Sequence, residues 1–210
     1  LAYYETFGLT AKLKFATRPE QRIGDDAMWD RAEGALRAAL EATGMPYELK
    51  EGDGAFYGPK IDFDVTDAIG RAWQLGTIQL DYNAPERFDL RYTGEDNVEH
   101  RPVVIHRAIF GSFERFIAIL IEHFAGSFPL WLAPEQVRLL PINDDLVASA
   151  KEFAAELRKA GIRASVDDRA ETLNYKIRDA EMHKIQYMGV IGAREAEAGT
   201  VALRLRGEGK

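Results

Sequence analysis

The stretch KIDFDVTDAIGRAWQLGTIQLDY, residues 60–82, contains two runs in which apolar and polar side chains alternate. The first run, 60–67, alternates apolar with acidic residues, and the second run, 71–82, follows a turn at Gly70. Because successive side chains of a strand point to opposite faces, each run predicts a strand with one buried face. Two such strands joined by a short turn predict an antiparallel sheet.

The segments on either side of this pair extend the predicted sheet and add helices. Residues 9–18 also alternate and predict a strand, and residues 103–105 predict a further strand that leads into a helix. Between them, Asp25 or Asp26 is expected to cap a helix that Gly44 ends. The first part of the chain is therefore predicted to be a mainly antiparallel sheet with helices.

The order of predicted elements changes after SFPLWLAPEQ, residues 127–136, where two prolines and two aromatic residues interrupt the pattern. We place a domain boundary there, which gives domains of 1–130 and 131–210. Beyond the boundary, strands alternate with helices, the first of which ends at Gly161. This alternation predicts a small α/β domain with a mostly parallel sheet.

Composition restricts the class of protein. The 210-residue chain has no cysteine, which excludes disulfides and thiolate metal ligands within it. No apolar run reaches the length of about 18 residues that a membrane span requires. The net charge of −7 argues against nonspecific binding of nucleic acid over the whole surface, but a local basic patch remains compatible with it. We expect a cytoplasmic protein without a membrane partner.

The segment VVIHRAIFGSFERFIAILIEHF, residues 103–124, is predicted to be mostly helical, although it carries a histidine, a small-residue pair and an arginine. At helical spacing one face contains Ala108, Gly111, Ser112 and Arg115. Small residues beneath an arginine leave a flat shelf for a planar ring under the guanidinium, and an adenine nucleotide fits that description. The alternative is a packing helix in which Arg115 pairs with Glu114 or Glu122.

Polar residues on the predicted strand 71–82 are candidates for ligand binding. Thr77 and Gln79 point to one face, in phase with Trp73. Gln74 is out of phase unless a bulge near Gly76 re-aims it. Hydroxyl and amide groups on such a face can bind a small polar ligand, and the alternative is a solvated sheet face.

Isolated polar residues carry less information. His106 is expected at the strand-to-helix junction, and no other histidine stands at ligand spacing from it, so spacing alone predicts no zinc site. Tyr57 lies between glycines in GAFYGPK, residues 54–60, which is typical of binding loops. Without further context, Glu195 and Arg204 are interpreted as solvated charges.

Taken together, these segments resemble the threonyl-tRNA synthetase family of class II aminoacyl-tRNA synthetases. The resembling segments follow one another in order and cover nearly the whole chain: TRPEQRIG (17–24), MWDRAE (28–33), GAFYGPKIDF (54–63), RAWQLGTIQLD (71–81), YTGEDN (92–97), HRAIFGSFERFIAILIEHFAG (106–126), WLAPEQV (131–137), AGIRASVDDR (160–169), YKIRDAE (175–181) and GAREAEAGTVALR (192–204).

The resemblance implies a partial class II catalytic sheet followed by an anticodon-binding domain that is truncated at its end. It implies ATP-dependent activation of L-threonine to threonyl-adenylate and transfer to tRNA(Thr). GSFERF, residues 111–116, resembles the third class II motif, which makes Arg115 the catalytic arginine that grips ATP above Gly111 and Ser112. The resemblance also implies that the ATP carries Mg²⁺. The residues implied to line the ATP and threonine pocket are Tyr57, Gln74, Thr77 and Gln79.

The resemblance also implies a zinc ion. His106 resembles one of three protein ligands of a Zn²⁺ that binds the amino group and hydroxyl of threonine, which rejects the isosteric valine more strongly than an apolar pocket would. In the family the other two ligands, a cysteine and a histidine, lie upstream, as does the second-motif arginine. The full-length enzyme is implied to be a homodimer.

In the anticodon-binding domain, the resemblance implies that Glu195 and Arg204 read the anticodon. Threonine anticodons share a central guanine followed by uridine, whose edges a carboxylate and an arginine can recognise. Phosphate contacts are expected from Lys176, Arg178 and Lys184.

Two alternatives remain open. A histidyl, prolyl or glycyl synthetase has the same anticodon-domain architecture, although His106 and the run AWQLGTIQLD, residues 72–81, favour threonine. A non-catalytic tRNA-binding paralogue has the same fold without the active site. An upstream second-motif arginine with cysteine and histidine ligands is expected only in the enzyme.

Overall fold

The computed structural model describes residues 1–207, which form two compact units. The first unit is Leu1–Glu122, and the second begins at His123. The predicted domain boundary at 130/131 lies eight residues further along the chain and stays a prediction. No helix of the described residues is long and apolar enough to cross a membrane.

The first unit is built on a five-stranded sheet in the order β2-β1-β3-β4-β7. Strands β1 and β2 are parallel, and the other neighbours are antiparallel, which confirms the prediction of a mainly antiparallel sheet. The elements are α1 (Ala2–Thr6), β1 (Ala11–Ala16), α2 (Asp26–Thr43), β2 (Tyr47–Lys50), β3 (Lys60–Thr66), β4 (Ala72–Asp81), α3 (Asn83–Arg87), β5 (Tyr92–Thr93), β6 (Glu99–His100), β7 (Val104–Ala108) and α4 (Phe113–His123). Strands β5 and β6 form a separate two-stranded sheet.

Helix α2 packs against one face of the sheet. It begins where the Asp25 carboxylate accepts a hydrogen bond from the Met28 N–H at 2.8 Å, and it ends at Gly44, which has a φ of 67°. The apolar contact consists of Ala32, Leu36 and Leu40 of the helix and Leu13, Phe15, Ile61 and Leu80 of the sheet. Burying one large apolar side chain is worth about 1.5–3 kcal/mol, so this contact fixes the helix on the sheet and leaves the other face of the sheet for function.

The strand predicted at 103–105 is confirmed, but the helix that was expected to follow it directly does not begin at 106. The chain forms strand β7 through Ala108, and α4 begins only at Phe113. Gly111 has a φ of 67°, a left-handed conformation that cannot continue into a right-handed helix. Residues 104–108 instead pair with β4, so His106 lies inside a strand and not at the strand-to-helix junction.

The second unit is a four-stranded sheet in the order β11-β10-β8-β9. Strand β8 is parallel to β9 and β10, and β11 is antiparallel to β10, which confirms the mostly parallel sheet. Its elements are β8 (Val137–Pro141), a 3-10 turn (Asp144–Leu146), α5 (Val147–Lys159), β9 (Ala164–Val166), α6 (Leu173–Met182), β10 (Tyr187–Ile191), α7 (Ala193–Ala198) and β11 (Ala202–Leu205). Leu139 packs with α5 and the neighbouring Leu140 packs with α6, so helices cover both faces.

Candidate functional site

A bulge in β4 determines which side chains share the free face of the first sheet. The pairing of β3 with β4 shifts register between Phe63 and Asp64, which leaves Leu75 without a partner opposite it. Lys60, Asp62 and Asp64 of β3 are alternate residues, so their side chains point to the same face of the sheet. Their partners on β4 are Gln79, Thr77 and Gln74, respectively. All three predicted polar residues therefore lie on one face of the sheet. Trp73 was expected on the same face as Thr77, but its position opposite Val65 puts it on the other face.

Glycine and a buried leucine maintain this bulge. The side chain of Leu75 is buried, and a Cβ on Gly76 would come within 3.1 Å of the Phe63 ring. Gly111 packs against the bulge at Leu75, because a Cβ added at Gly111 would lie 3.5 Å from the carbonyl oxygen of Leu75. The segment that leads into α4 is thus seated on the bulged part of β4.

The polar face carries a buried ionic network with one unpaired hydroxyl. The Asp62 carboxylate is 2% exposed, and it accepts a hydrogen bond from Gln74 Nε2 at 2.7 Å and pairs with Lys60 Nζ at 2.7 Å. The Thr77 hydroxyl beside it is buried, and within the described residues it has no hydrogen-bond partner. Leaving such a group unpaired costs about 1–3 kcal/mol. The Thr77 hydroxyl is therefore a hydrogen-bonding group of this face that no contact within the described residues uses.

The loop 54–59 places Tyr57 against this face. A Cβ on Gly58 would lie 1.6 Å from the carbonyl oxygen of Leu80, so only glycine allows the loop to approach β4 so closely. The Tyr57 hydroxyl donates a hydrogen bond to Gln79 Oε1, and the Tyr57 ring meets the His106 imidazole edge-on at 5.6 Å between centroids. Burial and the nearby Asp81 charge raise the pKa of Tyr57 above its usual value, and the protonated hydroxyl is the donor to Gln79 at neutral pH.

His106 lies directly opposite Gln79 on β7, and a buried carboxylate holds it. Its Nε2 lies 2.9 Å from Asp81 Oδ2, while Asp81 Oδ1 accepts from the N–H groups of Asn83 and Ala84 at 2.9 Å each. Burial acts to raise the pKa of Asp81, but the donors from His106 and these amides bring it below its usual value. An ionised Asp81 therefore fixes Nε2 as a proton donor and leaves Nδ1 of the half-exposed His106 for another group.

Sequence reasoning did not identify Asp81 as part of the site. The signal was present, because Asp81 alternates in phase with Thr77 and Gln79 at the end of the same strand. What the sequence did not contain was the pairing of β4 with β7, which brings His106 next to this carboxylate.

Arg115 lies in the first turn of α4 and is exposed. Its main-chain N–H donates a hydrogen bond to Ser112 Oγ at 3.2 Å, so Ser112 precedes the helix and caps it. The predicted helical face with Ala108 and Gly111 therefore does not exist, because both residues lie before α4. Among the described residues Arg115 has no ion pair, and Glu122 pairs instead with Arg71 at 2.5 Å. The guanidinium carbon of Arg115 lies 5.7 Å from the ring centroid of Trp73.

The two residues predicted to read an anticodon lie in the second unit. The Glu195 carboxylate accepts a hydrogen bond from the Gly192 N–H at 3.0 Å at the start of α7. Arg204 on β11 reaches Glu181 at 3.5 Å, and its buried Nε has no partner within the described part of the chain. Both side chains thus have a structural contact, and Arg204 retains an unused donor.

One predicted phosphate contact is wrong. Lys176 is 2% exposed, and its Nζ donates to the carbonyl oxygen of Pro141 at 3.0 Å, so it is not available to a phosphate. Arg178 and Lys184 are exposed. Charge alone suggested Lys176, whereas its position on the inner side of α6 makes it part of the core.

Comparison with known proteins gives two family matches and many relatives. Residues 2–124 match the family described as tRNA synthetase class II core domain (G, H, P, S and T), and residues 136–210 match the anticodon binding domain. The chain is 58% identical to a threonine–tRNA ligase of Desulforamulus reducens over 99% of this chain and 33% of that protein. It is 59% identical to one of Myxococcus xanthus over 97% of this chain and 32% of that protein. The chain therefore spans about a third of the length of these curated relatives.

Solved structures agree with these matches. The RNA binding domain of threonyl-tRNA synthetase from Cryptosporidium parvum superposes with a TM-score of 0.93 at 44% identity, over 98% of this chain and 52% of that chain. A prolyl-tRNA synthetase from Giardia lamblia reaches a TM-score of 0.56 at 23% identity over 73% of this chain and 34% of that chain, which is a likeness of fold alone.

Proposed function

The chain belongs to the class II aminoacyl-tRNA synthetases, and we propose that it forms part of a threonine–tRNA ligase. Such an enzyme uses ATP to activate L-threonine as threonyl-adenylate and then transfers threonine to tRNA(Thr). The proposed contribution of the chain is the end of the catalytic domain, residues 1–130, and an anticodon-binding domain, residues 131–210. Support comes from the 58% identity to a threonine–tRNA ligase over nearly the whole chain.

The observation that carries the proposal is the group formed by Gln79, Tyr57 and His106 on the polar face. Its amide, phenol and imidazole are held in place by contacts within the unit, and Thr77, whose hydroxyl has no partner within the described residues, lies two positions before Gln79 on the same face of β4. Donors and acceptors of this kind suit an amino acid with a hydroxyl side chain. A site that hydrogen-bonds such a hydroxyl discriminates strongly against a substrate that lacks it.

A zinc ion fits His106 as one of its ligands. A metal-binding histidine usually donates its second ring N–H to a carboxylate, and Asp81 supplies that carboxylate here. Within the described residues no group of three or more histidine, cysteine, aspartate or glutamate side chains is arranged to hold a metal. We therefore propose that His106 supplies one ligand through Nδ1 and that residues outside this chain supply the others. When bound, zinc would act as a Lewis acid toward the amino and hydroxyl groups of threonine.

Arg115 is proposed to bind ATP. In the activation step a threonine carboxylate oxygen attacks the α-phosphorus, the bond from that phosphorus to the bridging oxygen breaks, and pyrophosphate leaves. Negative charge develops on the phosphate oxygens, and the guanidinium donors of Arg115 would stabilise it. Gln74 and Thr77 are proposed to bind the substrates, and Gly111 and Ser112 to hold the start of α4 against β4.

Other elements of the proposal rest on the family alone. These are the Mg²⁺ that accompanies ATP, a homodimer of the full-length enzyme, and a location in the cytoplasm. Each stays a prediction.

We further propose that Glu195 and Arg204 recognise the anticodon. In the full-length protein, Arg204→Ala is expected to reduce charging of tRNA(Thr) by about ten- to a hundredfold and to relax discrimination at the central guanine and the following uridine, because each base contact is worth about 1–3 kcal/mol. Charging of tRNAs altered at each of these two bases measures the effect. Charging with threonine, and not with proline or histidine, by the unaltered protein tests the function itself.

Controls separate recognition from folding. Glu195→Gln keeps an oxygen that can accept from Gly192 but loses the paired acceptors that guanine requires, so it should fold normally and lose discrimination. Replacement of the exposed Lys184 by glutamine should weaken binding to cognate and altered tRNAs equally. If the Arg204 and Glu195 variants lose activity on every tRNA to the same extent, they are positioning charges and the assignment is wrong.

A further inference from the structure

The indole of Trp73 is the meeting point of two guanidinium groups in the first unit. Arg115 of α4 lies over the ring at 5.7 Å from its centroid, and Arg71 lies over it at 5.2 Å. A guanidinium is attracted to an aromatic face when it lies within about 6 Å of the centroid. Trp73 therefore connects β4 to the arginine that the proposed function places on ATP.

Asp67 fixes the orientation of this indole. The Asp67 side chain is fully buried, and its Oδ2 accepts hydrogen bonds from Trp73 Nε1 at 2.8 Å and from Arg71 Nε at 2.6 Å. Its Oδ1 accepts from the main-chain N–H groups of Ile69 and Arg71 at 3.1 and 2.8 Å. Arg71 is held a second time by Glu122 of α4 at 2.5 Å. Rotation of the ring would break its charge-assisted hydrogen bond to Asp67, and the other contacts fix the position of that carboxylate.

The kind of contact that holds Arg115 is suited to a ligand-binding arginine. In the described part of the chain no carboxylate pairs with Arg115, so its side-chain N–H donors are not used by an ion pair. An aromatic face attracts the cation without accepting these in-plane N–H groups. Trp73 can therefore orient the guanidinium and leave its donors to a phosphate or its free face to a planar base.

We propose that Trp73 is a positioning residue for Arg115 and that Asp67 acts through it. This inference rests on the proposed role of Arg115 in binding ATP. Trp73 itself does not touch the reacting atoms. Its contribution is to reduce the number of orientations that the Arg115 side chain samples before ATP binds.

The test uses the full-length protein and measures ATP–pyrophosphate exchange at varied ATP and at varied threonine. Trp73→Leu removes the aromatic face and should raise the KM for ATP about two- to fivefold, the size expected for a cation–π contact of an exposed arginine, with little change in the KM for threonine. Trp73→Phe keeps a face and most of the volume but loses the N–H to Asp67, so its effect should be smaller. In an Arg115→Ala background, Trp73→Leu should cause no further loss.

Tyr175→Leu is the matched control, because it removes a similar contact, with Arg169 at 5.6 Å from the ring, in the second unit. Exchange requires no tRNA, so this variant should behave as the unaltered protein. The proposal is overturned if Trp73→Leu changes the KM values for ATP and threonine alike, or if it reduces exchange by the same factor with and without Arg115. Direct calorimetric binding of ATP by these variants decides the role of Trp73 even if the unaltered protein fails to exchange with threonine, an outcome that contradicts the proposed function separately.

Discussion

Arg115→Ala in the full-length protein is expected to reduce threonine-dependent ATP–pyrophosphate exchange by about 10²–10³-fold, the usual cost of removing one preorganised group that stabilises transition-state charge. Binding of tRNA should remain almost unchanged. The substitution should not disturb folding, because Arg115 has no ion pair within the described residues and its loss leaves no buried carboxylate unpaired there. The fold should therefore survive while the ATP contact is lost.

Two further variants make this result specific. Arg115→Lys keeps the charge but loses the planar fork, so it should recover only part of the activity. Arg87→Ala removes an exposed arginine at the end of α3 in the same unit and should leave exchange unchanged. Normal activation kinetics in Arg115→Ala would make Arg115 an ordinary surface residue that packs on Trp73.

His106→Ala should lower zinc content and threonine activation together in the full-length protein. Removing a ligand loosens the metal, whereas the apolar core beneath α2 does not include His106 and should keep the fold. Asp81→Asn should weaken zinc binding about 10–100-fold, the usual effect of losing the carboxylate behind a metal-binding histidine. Metal analysis of the purified variants, alongside exchange kinetics, measures both effects.

The matched control is another histidine with a carboxylate partner. His100 Nε2 lies 2.9 Å from Asp96 on the separate two-stranded sheet, so His100→Ala removes the same kind of pair at a place without a proposed ligand. It should change neither zinc content nor exchange. Zinc that stays stoichiometric in His106→Ala would show that the imidazole has only a structural role beside Asp81.

Strands β1, β3 and β4 of the first sheet were predictable because apolar and polar side chains alternate along them, whereas β2 was not predicted. Alternation identifies such strands directly, and β3 and β4 end within a residue or two of the predicted bounds. The sequence allowed a bulge near Gly76 but did not predict one, because a single glycine permits a bulge without requiring it. Its presence depends on how Leu75 packs, and that is a tertiary contact.

The segment 103–124 shows why the rest was not predictable. The apolar run 103–105 predicted a strand, but no local pattern showed that the strand continues to Ala108, because pairing with β4 determines its length. Gly111 and Ser112 were predicted to form a flat shelf for a bound ring. In the structure they lie between the end of β7 and the start of α4. The contacts of His106 with Asp81 and of Arg115 with Trp73 join residues 25 and 42 positions apart, and no local pattern contains them.

The most direct test of the central claim compares the 210-residue chain with the full-length protein in amino-acid-dependent ATP–pyrophosphate exchange. The claim is that this chain holds one part of a threonine-activating site, namely His106, Arg115 and the polar face of β4. We expect threonine-dependent exchange by the full-length protein, no exchange with proline, histidine or glycine, and only background exchange by the chain alone. Exchange clearly above background by the chain alone, or a full-length protein that activates another amino acid, would contradict it.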